Sequence, residues 1–354
     1  MKKIIFFFTA VLFFLTPVKA SAATDFQQQI DNIAENYDIP AEKVMDITPE
    51  DIIDYVCESV KNSAVKPLQL SARIIAILLL FSVIKAVGTD NNSTAINVID
   101  SVCTVVVFVN LIEPVGTVIG VAAEKLSEVK NFMTVFLPVF AGISMSSGEF
   151  FTSTVYSGFF LTALVFIADF LLTTVIPSLH RYFSLIIADT LSPFVKLKSI
   201  SDFYVKSVRW LMKTIVSIIC FVLTLQTVIS QGKDTITVKA GRFITGAAIP
   251  VIGSALQDAV GSVFAGMEAI KGFAGAVGIA GIAMIFIPSL LSLAVYWICT
   301  SFMYITADMF DIKNISSCLK GFVTVIELTV SIVFLYMTML VFSLTIMISL
   351  TNGV

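Results

Sequence analysis

The feature that most constrains the fold is a glycine-rich apolar stretch between Gly241 and Phe310, which Pro288 interrupts. Four glycines recur every three residues along it: Gly272, Gly275, Gly278 and Gly281. In a bilayer, small residues on one helix face let two backbones approach, and neighbouring helices satisfy the carbonyls that a proline frees. The stretch therefore predicts helices packed within a membrane. A broken helix that lines a polar path is the alternative interpretation.

The composition extends this interpretation to the whole chain. Hydrophobic residues make up 57% of the sequence and charged residues 13%, with a mean hydropathy of +0.96. Soluble domains are about 45–50% apolar and about 25% charged. We therefore predict an all-α, polytopic membrane protein with about seven spans. The net charge of −3 gives no indication of nucleic-acid binding, and four of the five cysteines lie in apolar runs, which leaves no disulfide framework.

Three short motifs occur twice in the same order, each pair about 110 residues apart. Their first copies are Leu137–Gly142, Ile176–Leu179 and Lys198–Ser201, and their second copies are Ile249–Gly253, Ile287–Leu290 and Lys313–Ser316. The pattern predicts an internal duplication of the kind found in transporters, with broken or re-entrant helices at the prolines. Chance recurrence of Pro and Ser at helix ends is the alternative. The prolines predicted to break helices are Pro138, Pro177, Pro250 and Pro288.

The chain divides into five segments. A basic start, an apolar run and the small residues Ala20-Ser21-Ala22 predict a signal peptide over 1–22. Residues 23–68 form a small acidic extracytoplasmic segment of two short helices, which cannot bury a core alone and should dock on the membrane part or on a partner. Next come a first transmembrane pair (69–128), membrane repeat one (129–230) and membrane repeat two (231–354). The positions of basic residues leave the orientation of the middle of the chain open.

Three carboxylates inside apolar segments form the candidate polar site: Glu113, Asp169 and Glu327. Each is costly at mid-bilayer, by roughly 2.5–3.5 kcal/mol on insertion scales, so such groups are expected to face the protein interior. Asp169 is the most deeply placed, and it is either a proton or coupling-ion site or one half of a hydrogen bond between helices. Glu113 precedes Pro114 and is expected to support a kinked backbone.

Motifs of soluble enzymes are absent from the sequence. It contains no Walker A loop, no HExxH, no Gly-x-Ser-x-Gly and no paired-cysteine metal spacing. We therefore predict no catalytic residues, no cofactor and no metal. An ATP-driven step would have to come from another polypeptide.

The run from Ile249 to Val260, IPVIGSALQDAV, together with the glycine-rich stretch and the Ile287-Pro288 motif, resembles the stage III sporulation protein AE family of endospore-forming bacteria. The resemblance implies a multi-pass protein of the mother-cell membrane around the forespore, within a channel-like complex that joins the two cells. Implied partners are the lipid bilayer, the other stage III A proteins, including a cytoplasmic ATPase and ring-forming members, and a forespore partner Q. No nucleic acid is implied. The family carries no catalytic residues over to this sequence.

Two other functions are compatible with the residues. The duplication and Asp169 would suit an autonomous secondary transporter of a small solute. A passive scaffold, whose spans only assemble partner proteins, would need neither. Whether the complex member conducts small molecules is open at the level of sequence.

Overall fold

A computed structural model describes residues 49–87, 93–146, 150–191, 197–221, 224 and 253–349. The regular secondary structure in these ranges is entirely helical. The predicted signal peptide, Pro250 and most of the acidic segment lie outside the described residues. The helices are α1 (Pro49–Val87), α2 (Ser93–Ser146), α3 (Phe150–Phe170), α4 (Ile176–Leu191), α5 (198–221), α6 (Gly253–Met309) and α7 (Lys313–Ser349).

Five helical stretches in the described ranges are long and apolar enough to cross a membrane. They are Ser63–Lys85, Ile99–Met145, Gly158–Leu191, Ala269–Met309 and Lys313–Ile348. The protein is therefore an all-helical chain of the polytopic membrane class. The seven spans and the duplication predicted from the sequence are not confirmed.

The predicted helix breaks at Pro138 and Pro288 are wrong, because α2 continues through Pro138 and α6 through Pro288. The segment that was expected to be a separate half-helix after residue 131 is the last part of α2. Apolar surroundings favour this continuity, since a proline removes one helix hydrogen bond while hydroxyl side chains and local helix adjustments compensate for it. Pro288 leaves the carbonyl of Met284 without its usual helical N–H partner, and α6 nevertheless continues through it.

Pro177 lies in a segment that stays helical on both sides. A five-residue π-helical turn, Leu171–Val175, joins α3 to α4 immediately before it. Such a turn widens the hydrogen-bond ladder, so the chain absorbs the missing N–H of the proline without ending the helix. Ser178 also donates to the carbonyl of Val175 at 2.6 Å. The Gly158–Leu191 stretch is thus one continuous apolar element rather than two.

The core lies where α2, α6 and α7 pack together. Phe132, Phe136 and Phe140 form a stacked ladder on one face of α2, with successive ring centroids 5.5 and 5.7 Å apart. Gly275 and Gly278 of α6 face this ladder so closely that a Cβ added to Gly278 would lie 2.4 Å from Cζ of Phe136. A Cβ added to Gly275 would lie 3.5 Å from Cε2 of Phe140. The later glycine thus meets the earlier phenylalanine, so α2 and α6 are antiparallel. Gly272, by contrast, has open space beside it.

Helix α7 packs against both α6 and α2. Phe286 of α6 meets Tyr336 of α7 edge-on, with ring centroids 6.3 Å apart. Nearer the start of α7, Phe322 packs against Phe183 of α4, and their ring centroids are also 6.3 Å apart. Because α7 contacts α2, α3, α4 and α6, it connects the first half of the bundle to the second.

Candidate functional site

Asp169, the carboxylate most deeply placed in the sequence, forms an ion pair with Lys130. Asp169 is the next-to-last residue of α3, about 28 Å along the helix from Phe150, where α3 begins. Its Oδ1 lies 2.5 Å from Nζ of Lys130 on α2. The side chain of Lys130 is 25% exposed and that of Asp169 is 51% exposed. Asp169 therefore joins two helices and keeps one open side.

Lys130 belongs to a charged segment on α2 that also contains Glu124, Lys125 and Glu128. Nζ of Lys125 lies 2.6 Å from Oε2 of Glu128 and 3.6 Å from Oε1 of Glu124. Residues 131–146 of α2 and 150–168 of α3 carry no charge. The Lys130–Asp169 pair thus lies at the boundary between a charged segment and an uncharged helical hairpin.

Glu327 of α7 forms a second pair between helices. Its Oε2 lies 3.3 Å from Nη2 of Arg209 on α5, and the two side chains are 45% and 57% exposed. The pair is more open than Lys130–Asp169 and its atoms are further apart. Because Coulomb attraction weakens with distance and with solvent access, this second pair is the weaker one.

Glu113 lies on an exposed face of α2, and the described residues offer it no cation within ion-pair distance. Its carboxylate is within electrostatic range of the Tyr296 hydroxyl on α6. Thr117 donates to its backbone carbonyl at 3.0 Å, within the helix that continues through Pro114.

The structure does not bring the three predicted carboxylates into one site. Glu113 precedes Lys130 on α2 by about 25 Å of helix, and Glu327 precedes Tyr336 on α7 by about 13 Å. Tyr336, in turn, lies within electrostatic range of Asp169. None of the three carboxylates is buried within the chain itself. The three carboxylates of the candidate polar site therefore occupy separate positions along the described helices.

The sequence did not predict the cations of these pairs. Lys130 could have been found from the helix lengths. It lies about 24 Å before the end of α2, and Asp169 lies about 28 Å after the start of α3, so the two residues come to a similar level when the helices pack side by side. Arg209 has no such signal, since the contact between α5 and α7 depends on the tertiary arrangement.

Lys271 of α6 is 1% exposed, although lysine side chains are seldom fully buried. It shares the helix face of Ala274 and Gly278, both of which are buried. That spacing is the signal that would have placed Lys271 on the packed side of α6.

A cluster of hydroxyl groups lies between α4 and α5. The ring of Tyr182 stacks on that of Tyr204 with centroids 5.2 Å apart, and the hydroxyl groups of Ser178 and Tyr204 are hydrogen-bonded. Oδ1 of Asp189 accepts a hydrogen bond from the backbone N–H of Leu197 at 2.5 Å, where α5 is about to begin. These contacts stabilise the α4–α5 connection and position Arg209 beside α7.

Within the described ranges, no group of three or more His, Cys, Asp or Glu side chains could hold a metal ion. The ionisable groups of the bundle instead meet as ion pairs between helices. These features define a class of protein: a multi-pass helical membrane protein with charged side chains paired between its spans.

The chain belongs to the stage III sporulation protein AE family, whose sequence model matches residues 32–351, nearly the whole chain. The resemblance inferred from the Ile249–Val260 run is therefore confirmed. Neither a curated protein nor a solved structure matches the chain. Membership of the family assigns the protein to stage III of sporulation, as a membrane protein rather than a member of a known enzyme family.

Proposed function

We propose that this protein is a membrane subunit of the channel complex that joins the mother cell to the engulfed forespore, and that it resides in the mother-cell membrane around the forespore. Family membership supplies the sporulation stage. The observation that carries the assembly role is the open side of the Lys130–Asp169 pair.

Exposure of this open side to lipid would cost free energy in an isolated chain. A charged side chain at mid-bilayer costs roughly 2.5–3.5 kcal/mol on insertion scales, and such groups face protein or water rather than acyl chains. Asp169 follows about 28 Å of uncharged helix in α3, at the boundary with the charged segment of α2, and half of its side chain is uncovered by the rest of the chain. A neighbouring subunit that covers Asp169 removes this cost. The same reasoning applies, with less force, to Arg209 and Glu327.

The proposed partners are the other stage III A proteins, including a cytoplasmic ATPase and ring-forming members, together with the forespore partner Q. The present sequence has no Walker A loop, so ATP hydrolysis would be the task of the ATPase subunit. Conduction of small molecules would then be a property of the assembled complex. An autonomous transporter is less well supported, because Asp169 already has a cation as its partner.

The test is a tagged copy of the chain in sporulating cells that lack the native gene. We expect the wild-type chain to restore late forespore gene expression and to co-purify with the other stage III A proteins in mild detergent. Asp169→Asn should reduce both, whereas the exchange Lys130→Asp with Asp169→Lys should recover much of the loss. A wild-type chain that restores expression but purifies alone would contradict the proposal. Solute uptake by liposomes that contain this chain alone would favour the autonomous transporter.

A further inference from the structure

A second uncovered surface lies on α1 and the first half of α2, and we refer to it as the α1–α2 face. On α2 it consists of residues at helical spacing that are exposed or half-exposed: Val102, Val105, Val106, Val109, Ile112, Glu113, Gly116, Thr117 and Gly120. On α1 it includes Arg73, Leu80 and Val83. The Ser63–Lys85 span is the least covered of the five, with 33% of its apolar window buried within the chain.

Two opposite charges lie at the same depth on this face. Arg73 lies about 15 Å along α1 from Ser63 and about 18 Å from Lys85, and the exposed Lys66 lies two turns before it on the same helix face. Glu113 is the only charged residue between 101 and 123 of α2 and lies near the centre of that stretch. The guanidinium of Arg73 donates to Oδ1 of Asn110 at 3.4 Å, and Asn110 precedes Glu113 by one turn.

The two charges do not neutralise each other within the chain. The contact that Arg73 makes with α2 is to a neutral amide, and no ion pair joins Arg73 to Glu113 in the described part of the structure. Both side chains are exposed on their helices. The acyl chains of the lipid carry no counter-charge for either group. A surface that carries one cation and one anion at equal depth is complementary to a copy of itself.

The glycines on the same face would permit close approach. Gly116 and Gly120 form a G-x-x-x-G pair, and a Cβ added at either position would meet no atom within 4 Å. No other part of the described chain therefore occupies the space beside them. Helices that associate in membranes place such pairs at the contact, because the backbones can then approach closely.

We propose that the α1–α2 face binds a second copy of this chain, with Arg73 of each copy paired to Glu113 of the other and with the Gly116–Gly120 segments in contact. All copies share one orientation in the membrane, so the two α2 helices cross in parallel. The interaction is independent of the partners proposed above, since it concerns a different face from that of Asp169.

The first experiment measures self-association of the full-length chain in lipid nanodiscs or bicelles, by dilution into increasing amounts of lipid. The wild-type chain should be dimeric or larger at low dilution. Arg73→Glu alone or Glu113→Arg alone should weaken association by about tenfold or more, and the double exchange should restore it. A monomeric wild-type chain, or single variants that associate like the wild type, would overturn the proposal and leave lipid or a different protein on the face.

The second experiment uses matched glycine variants, so that misfolding is separated from lost association. Gly120→Leu should reduce self-association while the chain remains folded, because the side chain enters space that is empty within the protomer. Gly158→Leu on α3 is the control, since Gly158 also has nothing within 4 Å but lies elsewhere. Equal behaviour of the two variants would refute the assignment of the interface.

The third experiment locates the contact by disulfide formation in a background without the native cysteines. A cysteine at Val109 should cross-link two copies under mild oxidation, because parallel helices in contact bring equivalent Cα atoms close enough for a disulfide. A cysteine at Phe203, which is exposed on α5, should not. Cross-linking at Phe203 without cross-linking at Val109 would place self-association on another surface and overturn the proposal.

Discussion

Removing the carboxylate of Asp169 tests how the bundle accommodates charge. Asp169→Asn leaves Lys130 without its counter-ion, although 75% of the lysine side chain is covered. An exposed ion pair in water contributes about 0.2–1 kcal/mol, whereas breaking a buried pair costs about 3–5 kcal/mol. The 2.5 Å contact and the partial burial place this pair between those limits. We therefore expect Asp169→Asn to reduce the free energy of unfolding by about 2 kcal/mol.

The assay is reversible unfolding in mixed micelles, followed through the two native tryptophans, Trp210 and Trp297. The double variant Lys130→Gln with Asp169→Asn has no uncompensated charge and should recover most of the loss. The exchanged pair, Lys130→Asp with Asp169→Lys, should recover it as well. The reasoning fails if Asp169→Asn changes the free energy of unfolding by less than about 0.5 kcal/mol, or if the effects of the two single neutralisations simply add in the double variant.

Three further substitutions test the packing and the weaker contacts with the same assay. Gly278→Ala should destabilise by about 1–3 kcal/mol, because the new methyl would meet the buried Phe136 ring at 2.4 Å. Gly275→Ala should cost less, since its methyl would meet the end of the Ile348 side chain near the end of α7. Equal losses of stability in the two variants would contradict this difference. Glu327→Gln should cost less than about 1 kcal/mol, since its pair with Arg209 is about half exposed at 3.3 Å, and a larger loss would show that the pair is covered. Tyr336→Phe should cost less than about 1 kcal/mol, because the hydroxyl reaches the carbonyl of Leu164 only at 3.5 Å; a loss above 2 kcal/mol would mean that this hydroxyl has a stronger role.

The membrane class and the approximate positions of the apolar helices could be predicted from the sequence, because hydropathy depends on local composition. The continuity of the helices could not. Pro138 and Pro288 are ambiguous in isolation, since whether a proline ends a helix depends on what surrounds the freed carbonyl. In the structure, both helices continue through these prolines.

The candidate site was predictable only in part, for a related reason. Asp169 stands out because a carboxylate is rare inside an apolar run, and the structure gives it the inter-helix contact that was one of its two interpretations. Lys130 lies in a charged segment of α2, where a lysine is unremarkable. The contact between Arg73 of α1 and Asn110 of α2 depends on how these two helices pack. Pairing and depth are set by how helices are arranged, which local sequence does not encode.

In the assembled complex, we expect protein rather than lipid to cover the open side of the Lys130–Asp169 pair. Phe166 lies one turn before Asp169 on α3 and is 70% exposed, so a photo-crosslinking phenylalanine analogue at this position reports on what faces the pair. The control is the same analogue at Phe342, an exposed position in the uncharged part of α7. In sporulating cells we expect position 166 to give a discrete protein adduct in higher yield than position 342. Lipid adducts alone at position 166, at the level of the control, would contradict the claim.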